Sequence, residues 1–176
     1  MAPIRGRRER PPLDQSKLQE LALRYVERFA TTRAKLRDYL ARKLRERGWK
    51  GEREPDLGAI SERFAELGYI DDAAYALGKA RSLAGRGYGK RRLVDKLRVA
   101  GVEEQDGEEA RAHADEEAMA SALKFAERRR IGPFAAQIAD RKQREKAVGA
   151  MVRAGHSITL ARAIASLSPG APLDDL

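Results

Sequence analysis

Between Gly85 and Val102 the chain reads GRGYGKRRLVDKLRVAGV, with Leu93, Leu97 and Ala100 recurring at helical spacing and Val94 beside them. Apolar residues three and four apart share one face of an α-helix, and Gly101 stands where a helix would end. Around that apolar stripe lie Arg86, Lys90, Arg91, Arg92, Lys96 and Arg98, with Asp95 as the only acid. The pattern predicts a short helix with one face for a core and a cationic face for something else. It recurs in both directions at a spacing of about fifty-three residues. Earlier, in TRAKLRDYLARKLRERGW, Leu40, Leu44 and Gly48 take the places of Leu93, Leu97 and Gly101. Later, in DRKQREKAVGAMVRAGH, those places fall to Ala147, Met151 and Gly155, a looser copy. Arg37, Lys90 and Arg144 occupy one equivalent position. Such a repeat predicts tandem helical units, each too small to bury its own apolar face alone.

The remaining elements follow from caps and breaks. A capping box at Ser16 and Gln19 starts a first helix, whose inner face is Leu18, Leu21, Ala22, Tyr25, Val26 and Phe29. Thr31 and Thr32 precede a second helix over 33–47, ended by Gly48, with Trp49 as a packing residue after the cap. Asp56 caps a third, with Ile60, Phe64 and Leu67 inward and Gly68 as its stop. In GYIDD one aspartate caps a fourth helix over 73–84, and the basic fifth helix follows the GRGYG loop. An acidic stretch from Glu103 to Glu117 reads as part of an acid-rich helix pair exposed to water, a seventh helix spans roughly 115–130, and Gly132 and Pro133 break the chain before the third copy. Ile158, Ala161, Ile164 and Leu167 form a ninth and last helix. The expected fold is therefore all-α, with about nine helices in three sets of three. Its divisions are an N-terminal basic arm over 1–15, repeats over 16–70, 71–114 and 115–168, and a frayed end over 169–176.

Composition narrows the class without changing that picture. Charged residues make up 36% and aromatics only 6%, which favours helices rich in Ala, Leu, Arg, Lys and Glu over a sheet. The chain has no cysteine, which excludes disulfides and thiolate metal ligands. No apolar run is long enough for a membrane span, and the basic N-terminus lacks the apolar core of a secretory signal, so a cytoplasmic protein without a membrane partner is expected. Residues 1–50 carry fifteen Lys and Arg against six acids, whereas residues 101–150 carry nine against eleven. A positive excess held in the N-terminal part and in the basic fifth helix predicts a polyanion or an acidic protein surface as partner.

Three chemistries do not fit the residues. GRGYGK lacks the Gly at 84 and the Ser or Thr at 91 of a nucleotide-binding phosphate loop, and no strand precedes it, though its glycines leave a helix N-terminus open to a nucleic-acid phosphate. Asp71 and Asp72 lack a third metal ligand nearby, and His113 in HADEE is a weak one, so neither a metal nor another cofactor is expected. Two histidines without a cysteine or a convergent acid–base set do not make an active site, and no enzyme is expected.

TRAKLRDYLARKLRERG, RFAELGYIDDAAYA and GRGYGKRRLVDKLRVAGV together resemble the RecX family of regulatory proteins of bacterial recombination, over roughly residues 18 to 167. In the third unit the resemblance is looser, with His156 where an aromatic is more usual, and the basic N-terminal arm lies outside it. The resemblance implies an elongated, curved array of three tandem three-helix repeats without catalytic activity. It further implies binding to the RecA recombinase filament on single-stranded DNA, with inhibition of strand exchange, coprotease action and ATP hydrolysis in DNA repair and the SOS response. From charge and helical geometry, the expected contact residues are Arg33, Arg37, Arg42, Arg45, Arg86, Lys90, Arg91, Lys96 and Arg98, on a monomer. The other reading is a basic helical nucleic-acid-binding protein without a recombinase target. The scarcity of exposed aromatics for base stacking weighs against it.

Overall fold

Asp14 rather than Ser16 opens the first helix. Its carboxylate accepts the Lys17 amide at 2.8 Å, and α1 runs Gln15–Arg28. The computed structural model describes residues 11–173, and among these it contains nine α-helices, a 3-10 turn and no extended strand. The others are α2 (Arg33–Arg47), α3 (Leu57–Glu66), α4 (Asp72–Gly85), α5 (Lys90–Val99), α6 (Glu108–Glu116), α7 (Ala118–Arg129), α8 (Arg141–Arg153) and α9 (Ile158–Ser166). The 3-10 turn, Gly132–Phe134, lies where Gly and Pro were expected to break the chain. Side chains of Thr32, Asp56, Asp140 and Ser157 cap α2, α3, α8 and α9 by accepting amides of the first turn, which those otherwise unpaired donors require.

Five helices end in the same way. Tyr69, Tyr88, Val102, Ile131 and His156 donate their amides back to Phe64, Leu83, Leu97, Ala126 and Met151, closing a terminal loop over a left-handed residue. That residue is Gly68, Gly87, Gly101 and Gly155 in four cases and Arg130 (φ 54°) in the fifth, the one non-glycine with positive φ among the described residues.

The chain divides into two units, Met1–Asp72 and Ala73–Leu176. In the first, Leu18, Ala22, Leu36, Leu40, Ile60, Phe64 and Ile70 form one buried cluster. Leu13 belongs to it and is fully buried, although the sequence places it in the basic arm. It pairs with the segment after α2, its amide donating to Gly48 O at 2.9 Å and its carbonyl accepting Lys50 N at 2.8 Å. Residues 1–10 of that arm lie outside the described residues. The Trp49 indole donates to Arg53 O at 2.7 Å and packs against the same cluster.

The second unit holds two clusters. Ala76, Ala80, Leu83, Leu93, Leu97, Ala110 and Ala114 form one, and Ala122, Phe125, Ala126, Met151, Ala161 and Ile164 are the heart of the other. Tyr88 packs against both. The first unit's cluster is built mainly of Leu and Ile, whereas about half the buried residues of each cluster in the second unit are Ala.

Candidate polyanion-binding site

The glycine loop before α5 is a joint, not a phosphate cradle. Gly89 N donates to Ala154 O and Arg91 N to Gly155 O, each at 3.1 Å, so amides at the start of α5 already have backbone partners. The expectation that this helix end could hold a phosphate is therefore corrected. The two backbones meet so closely that a Cβ on Gly89 would stand 2.3 Å from Gly155 O, and one on Gly155 would stand 2.7 Å from Arg92 N. Only residues without a side chain permit that approach. His156 completes the joint, with Nε2 at 3.1 Å from Gly87 O and its ring tilted against Phe125. Burial pushes the imidazole pKa down, against a smaller opposing effect of the Gly87 carbonyl, so the neutral ring is favoured.

This joint fixes Tyr88, and three guanidiniums gather on its ring. Arg92 lies 4.3 Å from the ring centroid, Arg86 5.6 Å and Arg128 5.9 Å, and Arg128 also donates to Arg86 O at 2.8 Å. Among the described residues none of the three makes an ion pair. Three like charges around one aromatic ring repel one another, and an anion is what would relieve them. Arg86 was expected from sequence, whereas Arg92 and Arg128 were not. The run Arg128, Arg129 and Arg130 was the available signal, but nothing local shows that α7 ends beside Tyr88.

The other cations of α5 spread around the helix. With Leu93 and Leu97 buried, the 100° step between residues puts Arg91, Asp95 and Arg98 on the outward face and Lys96 on a flank beside Arg92. Arg91, Lys96 and Arg98 are exposed, and Arg98 pairs with Asp95 at 3.2 Å, a solvated contact that leaves it available. Lys90 reaches across to α6 instead, with Nζ 2.5 Å from Asp115 Oδ2.

In the first unit the expected residues separate into two kinds. Arg33 is an internal strut, its backbone amide donating to Asp72 Oδ1 at 3.0 Å and its guanidinium contacting Asp72 and Glu62. Desolvation opposes its charge, but the bond to Glu62 and the charges of Asp72 and Glu62 outweigh that, and its pKa is raised above the ordinary arginine value. Arg42 and Arg45 are exposed and Arg37 is half-buried; Arg42 lies 3.9 Å from Glu46, and Arg37 and Arg45 make no ion pair among the described residues.

One feature of this unit was missed. Tyr39 stacks on Tyr25 with centroids 4.2 Å apart, Phe29 follows at 5.5 Å, and Arg42, Lys43 and Arg28 lie over the Tyr39 and Phe29 rings. Phe29 is 54% exposed. Exposed aromatic surface is thus less scarce than composition indicates. The helical periodicity that placed Phe29 on an inner face overlooked that α1 ends at Arg28, leaving the ring beyond the helix.

Among the described residues no group of His, Asp and Glu is placed to hold a metal, and no helix is long and apolar enough to cross a membrane.

No family model matches the chain. It is 33% identical over 161 residues to the regulatory protein RecX of Myxococcus xanthus (strain DK1622), covering 86% of this chain and 86% of that protein. The chain belongs to the RecX family. The RecX of Thermobifida fusca (strain YX) is 33% identical over 152 residues, covering 83% of this chain and 75% of the relative. A RecX crystal structure from Lactobacillus salivarius superimposes with a TM-score of 0.61 at 22% identity, over 85% of this chain and 92% of that one. A second RecX crystal structure gives 0.62 at 24% identity, over 85% and 72%. At that identity the two structures speak for the fold, an all-α array of helical repeats. The RecX relatives are named regulatory proteins, which is the class this chain joins.

Proposed function

We propose that the protein binds the RecA recombinase filament on single-stranded DNA and restrains its strand exchange, coprotease and ATPase activities. By that route it would modulate DNA repair and the SOS response from the cytoplasm, as a monomer. Membership of the RecX family carries the reading. The unpaired cations around Tyr88 and along α5 support it, because a nucleoprotein filament offers both phosphates and acidic protein surface. The contact set is Arg37, Arg42, Arg45, Arg86, Arg91, Lys96 and Arg98, joined by Arg92 and Arg128. Arg33 and Lys90 would reach a partner only by giving up Asp72 and Asp115. Action by binding rather than catalysis is supported by its RecX relatives, which are named regulatory proteins.

The ladder Phe29, Tyr25 and Tyr39 with its cations favours a second reading, a nucleic-acid-binding protein with no recombinase target. One assay separates the two. ATP hydrolysis by RecA on single-stranded DNA is measured with this protein added in amounts well below those that coat the free DNA. The first reading requires inhibition there; undiminished hydrolysis, returning only when the DNA is saturated, leaves the second.

A further inference from the structure

Two adjoining depressions mark the second unit between the end of α7, the turn after it, α8 and α9. One measures about 410 Å³ and the other about 390 Å³, and they share Arg144 and Ala165 in their walls. The pair, meeting at those two residues, makes a two-part groove. Its first half is walled by Arg129, Arg130, Arg144 and Lys146 without a single acid. Arg141, Glu145 and Arg162 line the second half, where Glu145 is already paired with Arg141 at 3.0 Å. Among the described residues, Arg129, Arg130, Arg144, Lys146 and Arg162 make no ion pair.

The floor is of another kind. Ile131, Ala135, Ala147, Ala150 and Ala165 give the groove an apolar base of small side chains. Neither depression has an aromatic residue in its wall. A track for single-stranded nucleic acid combines cations with rings on which bases stack, and here the rings are missing. An extended acidic polypeptide fits both parts: alternate side chains point to opposite sides, so small or branched apolar residues face the floor while carboxylates meet the rim.

Arg130 adds a second sign of a built rim. It occupies the left-handed position that Gly68, Gly87, Gly101 and Gly155 fill at the other four helix ends of this type. A side chain at that position costs stability relative to glycine, and the guanidinium it carries projects from the groove wall. We propose that this groove of the third repeat binds an extended acidic segment of a protein partner, with Arg129, Arg130, Arg144 and Lys146 as its anion-recognising rim. The site does not depend on the filament reading, since any chain of that chemistry would serve.

Fluorescence anisotropy tests it on the full-length protein, with a labelled peptide of alternating Glu and Leu as probe and an oligothymidylate of similar length as comparison. The parent should bind the peptide, more weakly as salt rises. The double variant Arg130→Gly and Lys146→Gln should lose at least about tenfold in peptide affinity while binding oligothymidylate as before. Glycine suits the backbone at 130, so the variant should melt no lower than the parent, which separates lost charge from lost fold. Failure of the parent to bind the peptide, or equal binding by the variant, would overturn the proposal. So would displacement of the peptide by oligothymidylate with a parallel loss in the variant, since the groove would then be a nucleic-acid track. None of these outcomes bears on the RecA ATPase assay.

Discussion

A methyl group on Gly89 would lie 2.3 Å from Gly155 O, 2.4 Å from Gly155 C and 2.5 Å from His156 N. All three are backbone atoms, so no rotamer change relieves the contact and the loop and the turn after α8 must move apart. Gly89 itself has φ −84°, an ordinary value for alanine, so the whole effect comes from the contact and none from local strain. Three bonds hold the joint: Gly89 N to Ala154 O, Arg91 N to Gly155 O, and His156 Nε2 with Gly87 O. At about 0.5–1.5 kcal/mol net for each, Gly89→Ala should cost roughly 1.5–4.5 kcal/mol. For a chain of this size that corresponds to a fall in melting temperature of roughly 3–18 °C. Gly78→Ala is the matched control. It lies inside α4 with no atom within 4 Å of its added Cβ, and should gain about 0.5–1 kcal/mol because alanine favours the helix. Far-UV circular dichroism melts of the two variants decide the matter. If Gly89→Ala melts with the parent, the backbone joint does not hold the second unit together.

Further outcomes are expected elsewhere. Leu97, 3% exposed, should lose about 2–5 kcal/mol on replacement by alanine, read as a lower urea midpoint without loss of helicity in the native baseline. His156 is held neutral in the fold, whereas the unfolded chain takes up its proton near 6.5. Its contribution is fully present above pH 6.5 and is lost as the pH falls through the depressed folded value; His156→Phe should flatten that part of a urea-midpoint profile, and an unchanged profile would refute the assignment. Replacing Arg91, Lys96 and Arg98 together with Glu should weaken association with RecA filaments in a sedimentation assay while the circular dichroism spectrum stays that of the parent. Inhibition by that variant equal to the parent's would make the outer face of α5 plain solvated surface.

Much of this molecule could be read from short-range pattern. The bounds of α2 at Arg33 and Arg47 follow from Thr32 and Gly48, and of the two apolar repeat positions Leu40, Leu93, Leu97 and Met151 are buried while Leu44 and Ala147 are half-buried. These features depend on residues three or four apart, which a linear reading compares directly. The start of α1 lies at Asp14, two residues before Ser16, next to Leu13, whose backbone partners Gly48 and Lys50 lie far along the chain. For the same reason the glycine loop was open to misreading. Its partner is the turn at Gly155, and no local spacing records that approach. Arg92 and Arg128 stood outside the expected contact set because their meeting at Tyr88 is likewise a product of that contact. Charge could be counted from sequence, but which charges are engaged could not: Arg33 and Arg42 look alike until Asp72 folds back onto one of them.

Because the fastening beneath Tyr88 is made chiefly by main-chain amides and carbonyls, it is indifferent to what the outer helix positions carry. Surface residues of α5 and α8 can therefore be rewritten wholesale, even with their sign inverted, and the scaffold will still close. That latitude makes the second unit a suitable frame on which to exchange one set of recognition side chains for another.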